Sequence, residues 1–166
     1  VIIDPHVKRD RNYYFFKEAE QKKLYVKNKA GDDYDGWCWP GASSYLDVTN
    51  PEVRSWFGGM LQPGKFKEST TNLFVWNDMN EPSVFNGPEV SMPKDAKNLA
   101  GVEHREWHNL YGFFHHWASM RGGKERDALA APGAALAAQQ RPFVLTRSYF
   151  AGSQRFGAMW TGDNAA

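Results

Sequence analysis

The sequence predicts an α/β fold in which helices separate parallel strands, and three features support that prediction. Four short runs are apolar throughout instead of alternating with polar residues, which is typical of strands buried on both faces of a parallel sheet. A charged residue follows each run within a few positions. Segments with apolar residues three or four positions apart, the spacing of one helix face, lie between the runs.

The predicted strands all end close to a charged side chain. In a parallel barrel the carboxyl ends of the strands open onto one rim, where the chemistry takes place. We therefore expect the charged residues to meet at that rim. The strands are predicted at 1–3, 73–76, 143–145 and 158–160, and the charged residues after them are Asp4, Asp78, Arg147 and Asp163.

Three helices are predicted between these strands. The first covers 13–24, and the second begins at 50–52, where Asn can cap the helix and Pro suits its first position. The third covers about 103–120. Apolar residues at helical spacing are expected to face the core, namely Val53, Trp56, Phe57 and Met60 in the second helix and Trp107, Leu110, Phe114 and Trp117 in the third.

The other segments are predicted to be connections. Segments 24–27 and 36–39 flank a Gly-Asp-Asp turn at 31–33, so we expect a hairpin at the rim. Segment 127–140 is rich in Ala and contains Pro and Gly, which predicts a surface insertion. Only 147–156 separates the last two strands. Parallel connections usually need about a dozen residues or more, so a single helical turn is expected there.

Composition narrows the classes of function. The chain has 20 basic and 19 acidic residues and a net charge of +1, so no electrostatic feature favours nucleic acid as a partner. The single cysteine, Cys38, excludes an internal disulfide framework and a cysteine-rich zinc site. No apolar run approaches the roughly twenty residues that a membrane span requires.

The motifs lead us to expect neither a metal nor a cofactor. Segment 104–108 has two His four positions apart, but a zinc-protease motif has Glu directly after the first His, and here Arg105 stands there. Segment 122–124, Gly-Gly-Lys, lacks the spacing and the preceding strand of a phosphate-binding loop.

Asp78 and Asp163 suit one type of reaction. Glycoside hydrolysis with retention needs two carboxyl groups that flank one bond: one attacks the sugar, and the other protonates the leaving oxygen and later activates water. Residues at different strand ends of one rim meet the topological part of that requirement. Glu81 is a rival for the acid role, and a lone Asp after a strand is commonly a helix cap or turn former.

Long ordered motifs carry a resemblance to a known family. Residues 76–82, Trp-Asn-Asp-Met-Asn-Glu-Pro, resemble the signature of glycoside hydrolase family thirty-one, and residues 141–148 with 150–164 resemble its second block. Residues 36–41, Gly-Trp-Cys-Trp-Pro-Gly, and 83–92 are similar to the catalytic subunits of this family that trim glucose from N-linked glycans. The resemblance covers nearly the whole chain except 128–140.

The resemblance implies a fold and residue roles. The chain 1–166 would be the central part of a catalytic (β/α)8 TIM barrel, a partial barrel of about four strands, three to six, with the hairpin on its rim. Asp78 matches the nucleophile, Asp163 matches the acid/base, and Arg147 matches an arginine that hydrogen-bonds the glucose. Trp39, Trp76, Met79 and Trp160 match walls of the glucose pocket, and Asp4 matches a rim position.

The resemblance also implies a substrate, a partner and a location. The expected substrate is an oligosaccharide with a terminal α-linked glucose, in particular the α-1,3-linked glucose of high-mannose N-glycans. A regulatory β subunit is the expected partner, and the lumen of the endoplasmic reticulum is the expected location. A starch- or maltose-cleaving α-glucosidase and a non-catalytic carbohydrate-binding relative are the alternatives.

Physical chemistry adds expectations about charge and size. Asp78 has to stay ionised, which hydrogen bonds from Arg147 and Asn80 would favour. Asp163 has to keep its proton near neutrality, which burial among aromatic rings would favour. A complete barrel takes about 250 residues, whereas this chain has 166. Both ends look cut from a longer chain, so we expect the isolated chain to be inactive.

Overall fold

The computed structural model describes residues 1–70, 73–128 and 142–164, with the backbone alone for 126–128. It contains two sheets and three α-helices within those ranges. The strands are β1 (His6–Lys8), β2 (Gly36–Cys38), β3 (Gly41–Tyr45), β4 (Val75–Asn77), β5 (Val144–Thr146) and β6 (Ala158–Met159). The helices are α1 (Tyr14–Gln21), α2 (Pro51–Met60) and α3 (His104–Ala128).

One sheet is parallel, with the strand order β4-β5-β6. The predicted run at 1–3 joins this sheet beside β4 through a single parallel bridge, from Ile2 to Trp76. Two backbone hydrogen bonds of 2.8 Å hold it there, from Ile3 N to Trp76 O and from Trp76 N to Val1 O. The connection between β5 and β6 contains one short 3-10 turn, Ser153–Arg155, so the predicted single helical turn is confirmed.

The prediction that these runs are buried on both faces is wrong for the described chain. In β4 and β5 the buried residues alternate with partly exposed ones, because α3 covers one face of this sheet. Trp76 and Leu145 point to the opposite face and are partly exposed. Large apolar side chains at the ends of the runs are also exposed, namely Val1, Ile2, Phe74, Phe143 and Met159.

The second sheet is antiparallel, with the order β1-β3-β2. It corrects the predicted hairpin. Segment 24–27 does turn back at 28–32, with a bridge from Lys27 to Asp33, but its partners do not include Gly36–Cys38. Those residues form β2 and pair with β3 across a tight turn at Trp39-Pro40, which Gly41 completes with a φ of +93°. The sequence signal for the turn at 31–33 was correct, but the closer turn at 39–40 decides the pairing.

The sequence predicted where the helices begin better than it predicted which of their faces are buried. Asn50 caps α2 by accepting a hydrogen bond from Glu52 N at 2.8 Å, and Val53, Phe57 and Met60 are buried as predicted, while Trp56 is only partly buried. The helix α3 starts at His104 and runs beyond the predicted end. Its buried face holds Trp107, Tyr111, His115 and Ala118, whereas the predicted core residues Leu110, Phe114 and Trp117 are partly exposed.

Rings on the partly exposed side of α3 cover a charged side chain. The Arg54 guanidinium of α2 lies 4.7 Å from the Phe114 ring centre and 4.6 Å from that of Trp117. Arg54 also donates to the backbone oxygens of Val48 and Thr49, both at 2.8 Å. Both rings therefore pack over this cation, and Phe114 also packs against the apolar core.

Two further predictions concern a surface insertion and a membrane-spanning segment. The predicted insertion at 127–140 lies outside the described residues, apart from the last residues of α3 at 127–128. Within the described ranges, no helix combines the length and apolar character needed to cross a membrane.

We predict opposite effects for two Gly→Ala substitutions in α2 and α3, one at the contact between the helices and one away from it. A Cβ added at Gly122 would lie 2.8 Å from both Cα and O of Gly58, so Gly122→Ala should lower the free energy of unfolding by about 1–3 kcal/mol through overpacking. Gly59 lies in the same helix pair with open space around it, so Gly59→Ala should raise that free energy by about 0.5–1 kcal/mol. Thermal unfolding of both variants measures the difference, and equal effects would contradict the close helix contact.

Candidate functional site

The strand-end charges meet around Arg147. Its side chain makes a bidentate pair with Glu81, with Nε at 2.8 Å from Oε1 and Nη2 at 3.0 Å from Oε2. The same Nε lies 3.3 Å from Asp78 Oδ1. The Arg147 backbone N–H donates to Asn77 O at 3.2 Å, which joins the ends of β4 and β5. The structure thus brings Asp78 and Arg147 together as the strand ends predicted, and it shows Glu81 as the stronger partner of the guanidinium.

Hydrogen bonding and nearby carboxylates raise the pKa of Arg147. Glu81 is the largest cause, through its hydrogen bond, while Asp78 and Asp163 act through their charges and burial acts in the opposite direction. The guanidinium therefore stays charged. Asp163 lies within electrostatic reach of Arg147, although no direct contact joins it to Asp78 among the described residues.

Asn80 has a different role from the one predicted. We expected it to donate to Asp78, but its side chain is fully buried and donates to Thr146 Oγ1 at 2.9 Å. The side-chain oxygen Oδ1 of Asn80 accepts a hydrogen bond from Ser148 N at 3.2 Å. The amide therefore joins the segment after β4 to the end of β5 and to the segment that follows it. Met79, next to it, has a φ of +56° and a side chain that is only 4% exposed.

The aromatic residues of the predicted pocket lie on exposed surface. The Trp76 and Trp160 ring centres are 4.8 Å apart, and both residues are partly exposed. Trp39 is 70% exposed at the tip of the β2–β3 hairpin, where its ring meets that of Phe85 edge to face at 4.8 Å. A core location for Trp39 is thereby excluded. Exposed flat rings of this kind are available for packing against a sugar face.

Asp163 sits in a more open environment than expected. It has a φ of +59°, its side chain is exposed, and its Oδ2 accepts a hydrogen bond from Trp160 Nε1 at 3.2 Å. The expected burial of this carboxyl among aromatic rings is wrong for the described part of the chain. One indole is in contact with it, through a polar N–H rather than a ring face.

Asp4 and His6 form a second group beside Asp78. His6 Nε2 lies 3.3 Å from Asp4 Oδ2, and the side chains are 4% and 21% exposed, respectively. The pKa of Asp4 is raised to about 6, with burial as the largest cause; the charges of Asp78 and Glu81 also raise it, while that of Arg147 lowers it. Burial lowers the pKa of His6 to about 4. No motif in the sequence pointed to His6, and a bend at Pro5 separates it from Asp4.

A cavity lies beside this site. Its volume is about 600 Å³, and its lining includes Asp4, His6 and Trp39 but neither Asp78 nor Arg147. Apolar side chains such as Phe57 and Leu61 form most of the remaining wall. A sugar needs several hydrogen-bonding groups around its hydroxyls, so this cavity is not by itself a glucose pocket.

The described residues contain no group of three or more His, Cys, Asp or Glu side chains that could hold a metal ion. In segment 104–108 the two His side chains bind each other, with His108 Nδ1 2.8 Å from His104 Nε2. His104 Nδ1 lies 3.0 Å from Met92 O. These contacts tie the start of α3 to the preceding loop.

Comparisons with known proteins point to one family. The model of the glycosyl hydrolases family 31 TIM-barrel domain matches residues 1–166. The chain is 60% identical over 165 residues to neutral α-glucosidase AB of Dictyostelium discoideum. It is 53% identical over 165 residues to a probable glucan 1,3-α-glucosidase of Arabidopsis thaliana. Each match covers 99% of this chain and 17% of the relative, so the chain spans a small part of their length.

Solved structures give the same result. The crystal structure of the endoplasmic reticulum glucosidase II complex, a catalytic subunit with the binding domain of a regulatory subunit, superimposes with a TM-score of 0.89 at 52% identity. That match covers 99% of this chain and 17% of the other. A Flavobacterium johnsoniae dextranase complexed with glucose superimposes with a TM-score of 0.77 at 29% identity, over 98% of this chain and 18% of the dextranase.

We predict that Asp4→Asn changes the pH dependence of stability. Because the pKa of Asp4 is raised from its ordinary value of 3.8 to about 6, the folded state binds this proton more tightly than the unfolded state does. Its contribution to stability is full below the unfolded pKa and is lost as pH rises towards 6. Asp4→Asn should therefore raise the Tm relative to the parent protein more at pH 7 than at pH 4. An equal difference at both pH values would contradict the raised pKa.

Proposed function

Because this chain belongs to the glycosyl hydrolases family 31, within the TIM-barrel domain of that family, we propose that it carries the catalytic carboxylates of a retaining α-glucosidase. The observation that carries the proposal is the contact of Arg147 Nε with Asp78 Oδ1 at 3.3 Å, at the adjoining ends of β4 and β5. In this position the guanidinium lies beside the carboxylate at a rim where a sugar can approach.

The proposed reaction is a double displacement. The Asp78 carboxylate attacks the anomeric carbon of a terminal α-linked glucose, and the bond to the leaving oxygen breaks as Asp163 donates its proton to that oxygen. Asp163, now a base, removes a proton from water, and the water oxygen displaces Asp78 from the glucosyl-enzyme. Retention follows from the two inversions. Glu81 serves as the bidentate partner that fixes Arg147, at 2.8 and 3.0 Å, and not as the acid.

The glucose is proposed to lie between Arg147 and the exposed tryptophans. Arg147 supplies hydrogen bonds to its hydroxyl groups, and Trp76, Trp160 and Trp39 supply flat walls. Met79 and Asp4 complete the rim. The closeness of the Trp76 and Trp160 rings, at 4.8 Å, supports their action as one wall. The indole of Trp160 orients Asp163 through its N–H, at 3.2 Å.

The proposed substrate is the α-1,3-linked glucose of high-mannose N-glycans. A relative named probable glucan 1,3-α-glucosidase, at 53% identity, supports this linkage. The glucosidase II complex supports a regulatory β subunit as partner and the lumen of the endoplasmic reticulum as location. A starch- or maltose-cleaving specificity is the second candidate within the same chemistry, since the dextranase shows that family members at 29% identity act on other glucans.

We also propose that the chain forms the central part of a (β/α)8 barrel in a longer enzyme. The exposed apolar side chains Ile2, Phe74 and Phe143 at the parallel sheet support this, because the barrel interior and neighbouring strands would cover them. The β2–β3 hairpin would stand on the rim. The match to 17% of the length of the relatives is consistent with that arrangement.

We predict that Asp78→Asn and Asp163→Ala abolish hydrolysis of an α-glucoside by the intact enzyme. Loss of the acid should cost about 10²–10⁴-fold in rate, and loss of the nucleophile should cost more. Azide should restore turnover of an activated substrate by Asp163→Ala, with α-glucosyl azide as the product. Glu106→Gln, at an exposed position on α3, is the control and should keep full activity. Intact turnover in Asp78→Asn would contradict the assignment, and binding without hydrolysis by the parent protein would favour a carbohydrate-binding relative.

We further predict that residues 1–166 expressed alone do not hydrolyse a chromogenic α-glucoside. A complete barrel requires about 250 residues, and the isolated chain would expose the apolar side chains of its parallel sheet. The control is the intact enzyme at the same molar concentration. Hydrolysis by the isolated chain at the rate of the intact enzyme would overturn this prediction.

A further inference from the structure

The residue before Arg147 carries a buried hydroxyl that the proposed reaction does not use. This residue is Thr146, the last of β5, and it is fully buried. Its Oγ1 accepts a hydrogen bond from Asn80 Nδ2 at 2.9 Å and donates one to Ser148 O at 3.1 Å. Ser148 N in turn donates to Asn80 Oδ1 at 3.2 Å. These hydrogen bonds join Asn80, Thr146 and Ser148 in a closed set, which we call the Thr146 network.

The Thr146 network holds the bend from which the Arg147 side chain leaves the backbone. Arg147 and Ser148 form this bend directly after β5. Asn80 binds the N–H of Ser148, and the Thr146 hydroxyl binds its C=O. The N–H of Arg147 donates to Asn77 O at 3.2 Å. Three polar groups of the bend thus have hydrogen-bond partners, which restricts movement of its backbone.

The Thr146 network also adjoins both partners of the bidentate ion pair. Asn80 directly precedes Glu81, and Thr146 directly precedes Arg147. Asn80 and Thr146 are fully buried, whereas Glu81 and Arg147 are partly exposed at the rim. A shift within the Thr146 network would therefore move the backbone on both sides of the ion pair, whose hydrogen bonds measure 2.8 and 3.0 Å.

The helix α3 packs directly against the Thr146 network. A Cβ added at Gly112 of α3 would lie 2.4 Å from Ser148 Oγ and 2.8 Å from Asn80 O. Asn80 Nδ2 has a second and longer contact with Gly112 O, at 3.5 Å. Without the Thr146 hydroxyl, this long contact would be the one left to the Asn80 amide nitrogen among the described residues. A buried donor and a buried acceptor would then have lost a partner, which is costly in free energy.

From these contacts we infer that Thr146 is a positioning residue for Arg147. Its hydroxyl closes the network that holds the backbone at Arg147, and the guanidinium thereby keeps its contacts with Glu81 and Asp78. The inference deepens the proposed α-glucosidase function and rests on it. It assigns to Thr146 no contact with the sugar, because the hydroxyl acts through Arg147.

The first test compares two substitutions of Thr146 in the intact enzyme. Thr146→Val has nearly the same shape but no hydroxyl, so kcat/KM for an α-glucoside should fall about 10–100-fold as Arg147 loses its position. Thr146→Ser keeps the hydroxyl and should stay within about threefold of the parent protein. Unchanged kcat/KM in Thr146→Val, or an equal loss in both variants, would overturn the inference.

Ser119→Ala is the matched control for this comparison. It also removes a buried hydroxyl, but that hydroxyl lies on α3 and has no hydrogen-bond partner in the described chain. Its kcat/KM should equal that of the parent protein. A loss in Ser119→Ala as large as in Thr146→Val would show a general effect of core substitutions and would overturn the inference.

A second test asks whether Thr146 acts through Arg147. Arg147→Lys keeps the positive charge but cannot make the bidentate pair with Glu81. In that background Thr146→Val should lower kcat/KM by less than about twofold further, because the side chain that Thr146 positions is already lost. A further loss as large as in the parent protein would overturn the inference. If Thr146→Val does not fold, Thr146→Cys, whose thiol hydrogen-bonds only weakly, replaces it in both tests.

A readout without substrate separates this inference from the proposed function. Thr146→Val and Asn80→Ala should each lower the Tm of the intact enzyme. The double variant should lower it by less than the sum of the two shifts, because each substitution removes the partner of the other. Additive shifts would overturn the inference whatever the activity. If the shifts are coupled while no α-glucoside is cleaved, the Thr146 network stands and the proposed function fails.

Discussion

The bidentate pair between Arg147 and Glu81 is the contact on which the geometry of the site depends. A guanidinium held by two parallel hydrogen bonds, at 2.8 and 3.0 Å, loses its freedom to rotate. Its Nε therefore stays 3.3 Å from Asp78, on the neighbouring strand end. Because the pair joins the segments after β4 and β5, it fixes the position of the guanidinium charge at the rim and the side from which a sugar can approach. The guanidinium thus binds Glu81 more closely than it binds Asp78, so the proposed nucleophile is the weaker of its two partners.

In the short segment after β4, the two outer side chains face Arg147 and the two between them are buried. Asp78 faces Arg147, Met79 turns inward with a φ of +56°, and Asn80 is buried against Thr146. Glu81 then returns to the side of Arg147. Each residue of the motif thus makes a different contact, which explains why the order of residue types matters and not only their presence.

The sequence predicted well those features that depend on neighbours along the chain. The apolar runs at 73–76 and 143–145 overlap β4 and β5, and Asn50 caps α2 as its position before Pro51 indicates. The family predicted from residues 76–82 is confirmed by the match over 1–166. These features need only local spacing, capping or an ordered motif. The meeting of Asp78 with Arg147 was also predictable, because parallel strands place their carboxyl ends at one edge.

Features that depend on contacts distant in sequence were not predictable. The predicted partner of β2 was wrong because there are two turns, at 28–32 and at 39–40, on either side of this strand, and the sequence does not show which of them sets its pairing. The buried face of α3 was predicted only in part: Trp107 is buried, but Trp117 lies over Arg54 of α2, a contact between helices that the spacing within one helix does not show. Asn80 was assigned to Asp78 for its closeness in sequence, whereas Thr146 binds it across the sheet. His6 was missed because its meaning depends on the burial of Asp4.

The most direct measurement is the distance between the carboxyl oxygens of Asp78 and Asp163 in a crystal structure of the intact enzyme with a glucose mimic bound. We predict a distance of about 5–5.5 Å, the separation of a retaining pair. The anomeric carbon should lie between the two carboxyl groups, and Arg147 should still be paired with Glu81. Carboxyl groups more than about 6.5 Å apart, the range of an inverting pair, or an Asp163 that faces away from the sugar, would contradict it.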